Sequence, residues 1–309
     1  MKIIDPSFQI QDVLDRKGFA ARLEECGRIC YKSEGLMDKD SALPFVRKIA
    51  AHGHNSVLEM AVASLQVQCG PAQTALLQVC QPKFLMIDQL DDGLLITGSI
   101  RSFRELYMRC PDNLLVHRCT AFLAGSHPYL FEGVWDAREA WEAEEGLAIR
   151  KLSIDEVEKL PASLLLRHRY VGVKFVVNRA VTHELVRHRP CSFLQESQRY
   201  CRYSQDKFDN QVTFIKPMFF AEDSEEYGLW VRAMAETEQI YLRLLETSTP
   251  QAARTVLPNS CKTEIVVYCN LEEWSHIFRL RTSPAAEPSM REIMIPLAKE
   301  LRSRYPAMA

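Results

Sequence analysis

Fourteen consecutive residues, Arg187-His188-Arg189-Pro190-Cys191-Ser192-Phe193-Leu194-Gln195-Glu196-Ser197-Gln198-Arg199-Tyr200, carry three arginines, a histidine, two serine hydroxyls and two side-chain amides. A guanidinium binds a phosphate or a planar carbonyl edge in two places at once. Crowding three of them together is unfavourable until an anion or a set of carboxylates neutralises them. The chain as a whole is nearly balanced, with a formal net charge of −2. A nucleic-acid binder would carry a basic surplus, so a local concentration of this kind suits a small anionic ligand. The segment reads as an anion-binding wall.

Other residues are weighed against it. Arg167-His168-Arg169 is a second Arg-His-Arg with no serine or arginine at matching distances behind it, which makes it an internal control. His183-Glu184-Leu185-Val186-Arg187-His188 looks like a zinc-protease helix, but that motif needs histidines four apart. Here they are five apart, roughly 140° round a helix, and no metal is expected. The chain has only 12 glycines and neither G-x-G-x-x-G nor G-x-x-x-x-G-K-[ST]. A bound nucleotide therefore has to be held by side chains instead of a loop of backbone amides. His54-Asn55-Ser56-Val57-Leu58-Glu59 puts an imidazole, a hydroxyl and a carboxylate ahead of an expected strand, and Ala253-Arg254-Thr255-Val256-Leu257-Pro258 sets an arginine in a short turn closed by proline. Asn270 with Glu273 opens a helix like a capping box. Trp274, Ile277, Phe278 and Arg281 then share one face, leaving Arg281 at the inner end of a buried stripe where it needs a partner.

The pattern RHR-x-x-S-x-x-x-x-S-x-R-Y resembles the signature of the flavin-dependent thymidylate synthases, the ThyX family, with Leu194 in place of the usual Asn. The His54–Glu59, Arg254 and Asn270–Arg281 motifs follow the family's order. The resemblance implies conversion of dUMP to dTMP with methylenetetrahydrofolate as carbon donor, NADPH as reductant and FAD as cofactor, in a homotetramer with shared active sites. It assigns Ser56, Glu59, Arg187, His188, Arg189, Asn270 and His276 to FAD. It assigns Glu184, Gln195, Glu196, Ser197, Arg199, Arg254, Leu280 and Arg281 to dUMP. Arg281, Ser197 and His54 would act at the reacting atoms, with Tyr200 lining the opening and no covalent nucleophile. Leu194, Gln195, Glu184, Glu272 and Ala285 depart from the family's usual residues. The alternatives are a paralogue acting on another pyrimidine nucleotide, or an inactive flavin- or nucleotide-binding protein.

Elements must position these groups. At 309 residues, 47% hydrophobic and 25% charged, the chain can bury one substantial core or two smaller ones. No stretch is long and apolar enough to span a membrane, no export signal is visible and no C-x-x-C occurs among ten cysteines. A cytoplasmic protein with reduced thiols is expected. Periodicity predicts helices over about 40–51, 178–189 (stopped by Pro190), 224–246, 271–281 and 288–304, and strands over 61–69, 94–97, 173–177 and 263–269. The Ala- and Glu-rich stretch of about 135–154 reads as an exposed helix or lid. It lies within a family-variable insertion at about 98–167 of a single domain spanning 1–309. Helices and strands mix without regular alternation, so the expected class is α+β, helices around a mainly antiparallel sheet, with no Rossmann fold or P-loop.

Overall fold

The computed structural model describes residues 1–51, 53–82, 84–135 and 147–309. Its strands, in chain order, are β1 (Lys2–Ile4), β2 (Ser7–Ile10), β3 (Val62–Gln68), β4 (Leu85–Leu90), β5 (Gly93–Ser99), β6 (Ala148–Lys151), β7 (Tyr170–Asn178), β8 (Ser192–Gln195), β9 (Thr213–Ile215) and β10 (Lys262–Asn270). They form two four-stranded sheets, β2-β7-β10-β8 and β4-β5-β3-β6, both antiparallel throughout, and the parallel pair β1-β9. The class is α+β, as the mixed pattern predicts.

β10 explains why the core divides in two. Its sequence, KTEIVVYCN, is apolar on both faces, as a strand covered on both sides must be. Ile265, Val267 and Cys269 join Val171, Val173, Phe175 and Val177 of β7 beneath the helices Leu271–Arg281 and Pro288–Arg304. Val266 and Tyr268, one residue out of phase, pack with Leu194 into a second core containing β3 and β5 and the helices Phe19–Ile29, Ile100–Arg109 and Leu114–Ser126. Each fully buried large side chain in these layers contributes about 1.5–3 kcal/mol relative to exposure. Trp274 is wholly buried, and its indole N–H donates to the Val171 carbonyl at 3.0 Å, so the stripe read from the sequence carries no unpaired polar group.

The two central strands end alike. Asn178 closes β7 and caps the helix Arg179–Leu185, its side chain accepting from Val181 N at 2.9 Å. Asn270 closes β10 and caps Leu271–Arg281 in the same way, accepting from Glu273 N at 2.9 Å. Because β7 and β10 are antiparallel, with Lys262 beside Asn178 and Asn270 beside Tyr170, the two helices start at opposite ends of the ladder. Arg281 at the end of one then meets Glu184 in the last turn of the other.

Two expectations are corrected. The helix expected over 178–189 stops at Leu185, so Arg187, His188 and Arg189 lie on the turn beyond it rather than in its last turn. A residue before proline is disfavoured in the helical region, and here His188 O accepts Cys191 N at 3.1 Å to reverse the chain. Within the stretch of about 135–154 read as an exposed helix or lid, residues 148–151 form a strand instead. Ala148–Lys151 forms β6 on the free edge of β3, with Ile149 beside Val67, and a Ser153–Glu156 capping box starts the next short helix. Trp135 packs against Tyr107 and His117. Residues 136–146 of the expected helix lie outside the described residues.

The control tripeptide turns out to be structural. Asp15, 8% exposed, pairs with Arg22 and with Arg169, each 2% exposed; the Arg169 contact is 2.9 Å, and Arg169 also reaches Glu158 at 3.0 Å. Arg167 and His168 both bind Asp88 at 2.8 Å. Burial alone would raise the Asp88 carboxyl, but these two partners hold it below the usual range. All ten cysteines are free, and burial pushes the Cys26 and Cys119 thiols up to about 12. Asp15→Asn leaves the buried Arg22 without a carboxylate and Arg169 with Glu158 alone, a change expected to lose about 3–5 kcal/mol of stability. A denaturant midpoint within experimental error of the parent's would show that this network does not hold the fold.

Candidate functional site

Sheet register builds the first part of the site. Val62 of β3 pairs with Ser99 of β5, and Ile100 N donates to Ala61 O at 2.8 Å. The helix Ile100–Arg109, capped by Ser99, therefore starts beside the segment that carries Glu59. Arg101 on its first turn donates to Glu59 and to Glu105, each at 2.6 Å. These three side chains line a cleft of about 640 Å³, together with Phe84, Leu85 and Met86 from β4 and its approach. The remaining lining comes from Val62, Ser99, Ser102, Tyr170, Asn270 and the turn Arg189-Pro190-Cys191-Ser192. Residues as distant in sequence as Glu59, Arg189 and Asn270 thus share one cavity with apolar walls and a few convergent polar groups, the usual character of a cofactor site.

Arg189 is exposed and has no side-chain partner among the described residues, and the same holds for Arg187, which is not part of the cleft lining. Unneutralised cations just past a helix C-terminus suit the helix dipole, and they remain available to an anion. Asn270 is already committed: Oδ1 caps its helix, and Nδ2 donates to Arg167 O at 2.9 Å. It can shape the cleft wall but has one donor hydrogen left for a ligand.

A second cluster surrounds Arg281. Its Nε donates to His188 Nε2 at 3.0 Å, Nη2 to the Glu184 carbonyl at 3.1 Å, and Nη1 pairs with the Glu184 carboxylate. Arg281 thereby makes His188 Nε2 the acceptor and leaves the proton on Nδ1, which faces Glu273 at 3.6 Å. His276 lies edge-on to His188 with ring centres 6.0 Å apart and accepts from Arg279 at 2.9 Å. His188, Glu273 and His276 could in principle hold a metal ion, since their ligand atoms lie within 4.8 Å of one another. One nitrogen of each imidazole is, however, bound to a guanidinium, a poor setting for a dication. His183 is exposed and takes no part in this cluster.

The signature's second half sits on β8 and the turn beyond it. Leu194, where the family usually has Asn, is buried in the sheet beside Val266. Gln195 donates to the Thr182 and Thr263 hydroxyls at 3.1 and 3.2 Å. Glu196 is 2% exposed; it accepts from Tyr203 OH and pairs with Lys262, both at 2.9 Å, so its carboxylate serves the interior. Nearby, burial would raise the Glu264 carboxyl, but Lys262, Lys174 and Lys32 hold it below the usual carboxylate range. Ser197 is half-buried, its hydroxyl accepting from Arg199 N at 3.3 Å. Arg199 is exposed and reaches Gln251 at 3.2 Å, on the short helix Pro250–Ala253 that leads directly into Arg254. Arg254 is half-buried with no side-chain partner among the described residues.

The chain therefore presents two groups of expected substrate residues, Arg199 with Arg254 and Arg281 with Glu184, and no hydrogen bond or ion pair among the described residues joins them. Leu280 and Tyr200 are exposed at 46% and 56%. His54 and Ser56 are exposed at the start of the helix Asn55–Leu58, outside the cleft lining. Sequence reasoning missed Phe84, Arg101, Glu105 and Tyr170. Arg101 and Glu105 carry only an i,i+4 charge pair, which is common on helices and marks no site by itself.

With this geometry in place, comparison is informative. Residues 138–307 match the family model described as thymidylate synthase complementing protein. The flavin-dependent thymidylate synthase of Pyrococcus furiosus is 34% identical over 173 residues, covering 53% of this chain and 69% of its own. That of Pyrococcus abyssi is 38% identical over 128 residues, covering 41% and 52%. A solved UMP/dUMP methylase, PolB from Streptomyces cacaoi bound with 5-Br dUMP, aligns with all of this chain and 95% of its own at 13% identity and a TM-score of 0.42. That likeness is too loose to bear on substrate. Replacing Arg187 and Arg189 together by Ala should strip flavin from the protein on gel filtration, since each charge-assisted contact to phosphate is worth roughly 1.5–3 kcal/mol. Arg167→Ala, which removes only a half-exposed partner of Asp88, should leave flavin content unchanged. Equal losses at the two sites would remove the distinction between them.

Proposed function

The chain belongs to the thymidylate synthase complementing protein family, and from that premise we propose that it is a flavin-dependent thymidylate synthase. It would transfer a one-carbon unit from methylenetetrahydrofolate to C5 of dUMP, with NADPH as reductant. The observation that carries this reading is the convergence of Glu59, Arg189 and Asn270, three residues from separate family-like motifs, on one cleft. The lining suits FAD: it combines unneutralised guanidinium with hydroxyls, one spare amide hydrogen and an apolar floor. FAD, when bound, supplies the hydride that completes the methyl group. Cleft residues running from Glu59 to Asn270 also favour reading 1–309 as one domain.

The chain's own groups do the rest. Arg199 and Arg254, neither paired with a carboxylate among the described residues, are the cations for the nucleotide phosphate, with Ser197 close by in the chain. Arg281 is the donor for the uracil carbonyl, where negative charge develops as C5 becomes nucleophilic, and a preorganised donor acts most strongly at such a point. To engage it, Arg281 shifts part of its hydrogen bonding from Glu184 to the ring, while His188 keeps its orientation between Arg281 and Glu273. His54, exposed at its helix start, is placed at the folate edge. A homotetramer with sites shared between subunits follows the family's pattern. Leu229, Ile240 and Leu244, exposed among charged residues on the outer face of the helix Glu225–Thr247, are available to such packing. We place the protein in the cytoplasm. A different pyrimidine nucleotide is the second reading, favoured by Leu194 and Gln195, which depart from the family's usual residues in the signature.

Tritium release from 5-³H-dUMP with methylenetetrahydrofolate and NADPH tests the activity, and release from labelled UMP alone would favour the second reading. Arg281→Ala should slow methyl transfer by the roughly 2.7–4 kcal/mol typical of a lost oxyanion donor. Flavin reduction by NADPH should persist in it, because no charge develops on uracil in that half-reaction. Arg281→Lys should rescue poorly, since an ammonium cannot copy the planar fork. A folded, flavin-loaded mutant that loses both half-reactions equally would contradict this role.

A further inference from the structure

Phe84 stands in the left-handed backbone region at φ 66°, with its ring 75% exposed on the rim of the cleft. A bulky side chain is strained at such a φ, and a large ring left in water forgoes its burial. The other positive-φ residues outside glycine among the described residues are Lys32, Gln81, Asp209 and Asn210, of which only the last two are types that tolerate the conformation and none is aromatic. Phe84 is not such a type, and it stacks on no aromatic partner among the described residues. Its position is held from below. A Cβ on Gly98 would lie 2.2 Å from Leu85 Cδ2 and 3.2 Å from the Phe84 carbonyl, so glycine here lets the segment pack closely on β5 without moving Leu85. Backbone strain of this kind gathers at ligand sites because the surrounding fold can hold it there.

Arg101 lines the same cleft. Only its Nε and Nη1 are used, by Glu105 and Glu59, which leaves Nη2 of a five-donor fork free among the described residues. Both side chains come from residues 84–101, outside the stretch 138–307 that matches the family.

We propose that Phe84 and Arg101 form a second wall of the nucleotide cleft, the ring stacking on a heteroaromatic ring of the flavin dinucleotide and the unused Nη2 of Arg101, held in place by Glu59 and Glu105, donating to its phosphate opposite Arg189. The inference rests on the flavin reading of this cleft. It also gives the segment 84–105 a part in cofactor affinity that no motif in the sequence marks.

FAD titrated into flavin-stripped protein, followed by flavin fluorescence, tests both residues. Phe84→Gly should weaken FAD binding roughly tenfold, in line with loss of one base–aromatic stack. It should also raise the melting temperature of the flavin-free protein, because glycine relieves the strained φ. A purely structural Phe84 cannot give weaker binding together with a more stable fold. Phe84→Tyr should bind as the parent does, keeping the stacking ring. Arg101→Gln should bind roughly tenfold more weakly and with a shallower salt dependence, and Arg101→Lys should recover part of the loss. Wild-type protein that binds FAD while Phe84→Gly and Arg101→Gln bind it equally well would overturn the second wall and leave the flavin reading intact. Wild-type protein that takes up no FAD would overturn both.

Discussion

A single buried carboxylate, Asp15, fixes where the rest of the molecule can lie. It faces two guanidiniums in the interior, Arg22 from the helix Phe19–Ile29 and Arg169 from the entry to β7. Charges taken out of water are tolerated only when paired with good geometry, so the first helix and the central ladder cannot shift independently. Arg22 also lies over the ring of Tyr268 at 4.0 Å, on the face of β10 that belongs to the first core. From Arg169 the constraint passes directly to the cleft. Its carbonyl accepts Leu271 N at 3.0 Å, the Arg167 carbonyl accepts Asn270 Nδ2, and its chain neighbour Tyr170 lines the cavity.

The two Arg-His-Arg tripeptides show how one composition serves two ends. Arg167, His168 and Arg169 each meet a carboxylate, Asp88 or Asp15 with Glu158, and the charge is consumed inside the protein. Arg187 and Arg189 meet none among the described residues, because Pro190 ends the helix early and turns them outward. Neutralisation decides the difference. Cations already matched by acids hold the fold, and cations left unmatched beside a cavity await a ligand. Between the two extremes stand Arg281, matched to Glu184 at the edge of the stripe, and Arg101, matched to Glu59 and Glu105 yet with Nη2 unused on the cleft.

Much of this was legible in the sequence because period and capping act locally. The helices Leu271–Arg281 and Pro288–Arg304 and the strands β3, β7 and β10 fall where apolar spacing and Asn caps put them. The stretch 147–154 was not legible: taken together with the Ala- and Glu-rich residues before it, it reads as helix, but the open edge of β3 captured Ala148–Lys151 as a strand, a non-local choice that no window of residues contains. The fate of Glu196 was hidden for the same reason. Beside serine and arginine it reads as a ligand group, whereas Lys262 and Tyr203, distant in sequence or pointing inward, take up its oxygens. Arg101 and Phe84 were invisible because their meaning lies in the register of β3 against β5 and in one backbone angle.

The central claim is that the cleft between the segment 84–105 and the turn 189–192 holds the flavin nucleotide. A second cavity, of about 430 Å³, lies beside it, sharing Val62 and Tyr170 and lined by Arg22, Lys151 and Arg169. A crystal structure of the protein grown with FAD separates the two directly. The account predicts flavin density in the first cleft, with phosphate oxygens at Arg189. Flavin seated instead on Lys151 and Arg22, with the first cleft left to solvent, would contradict it.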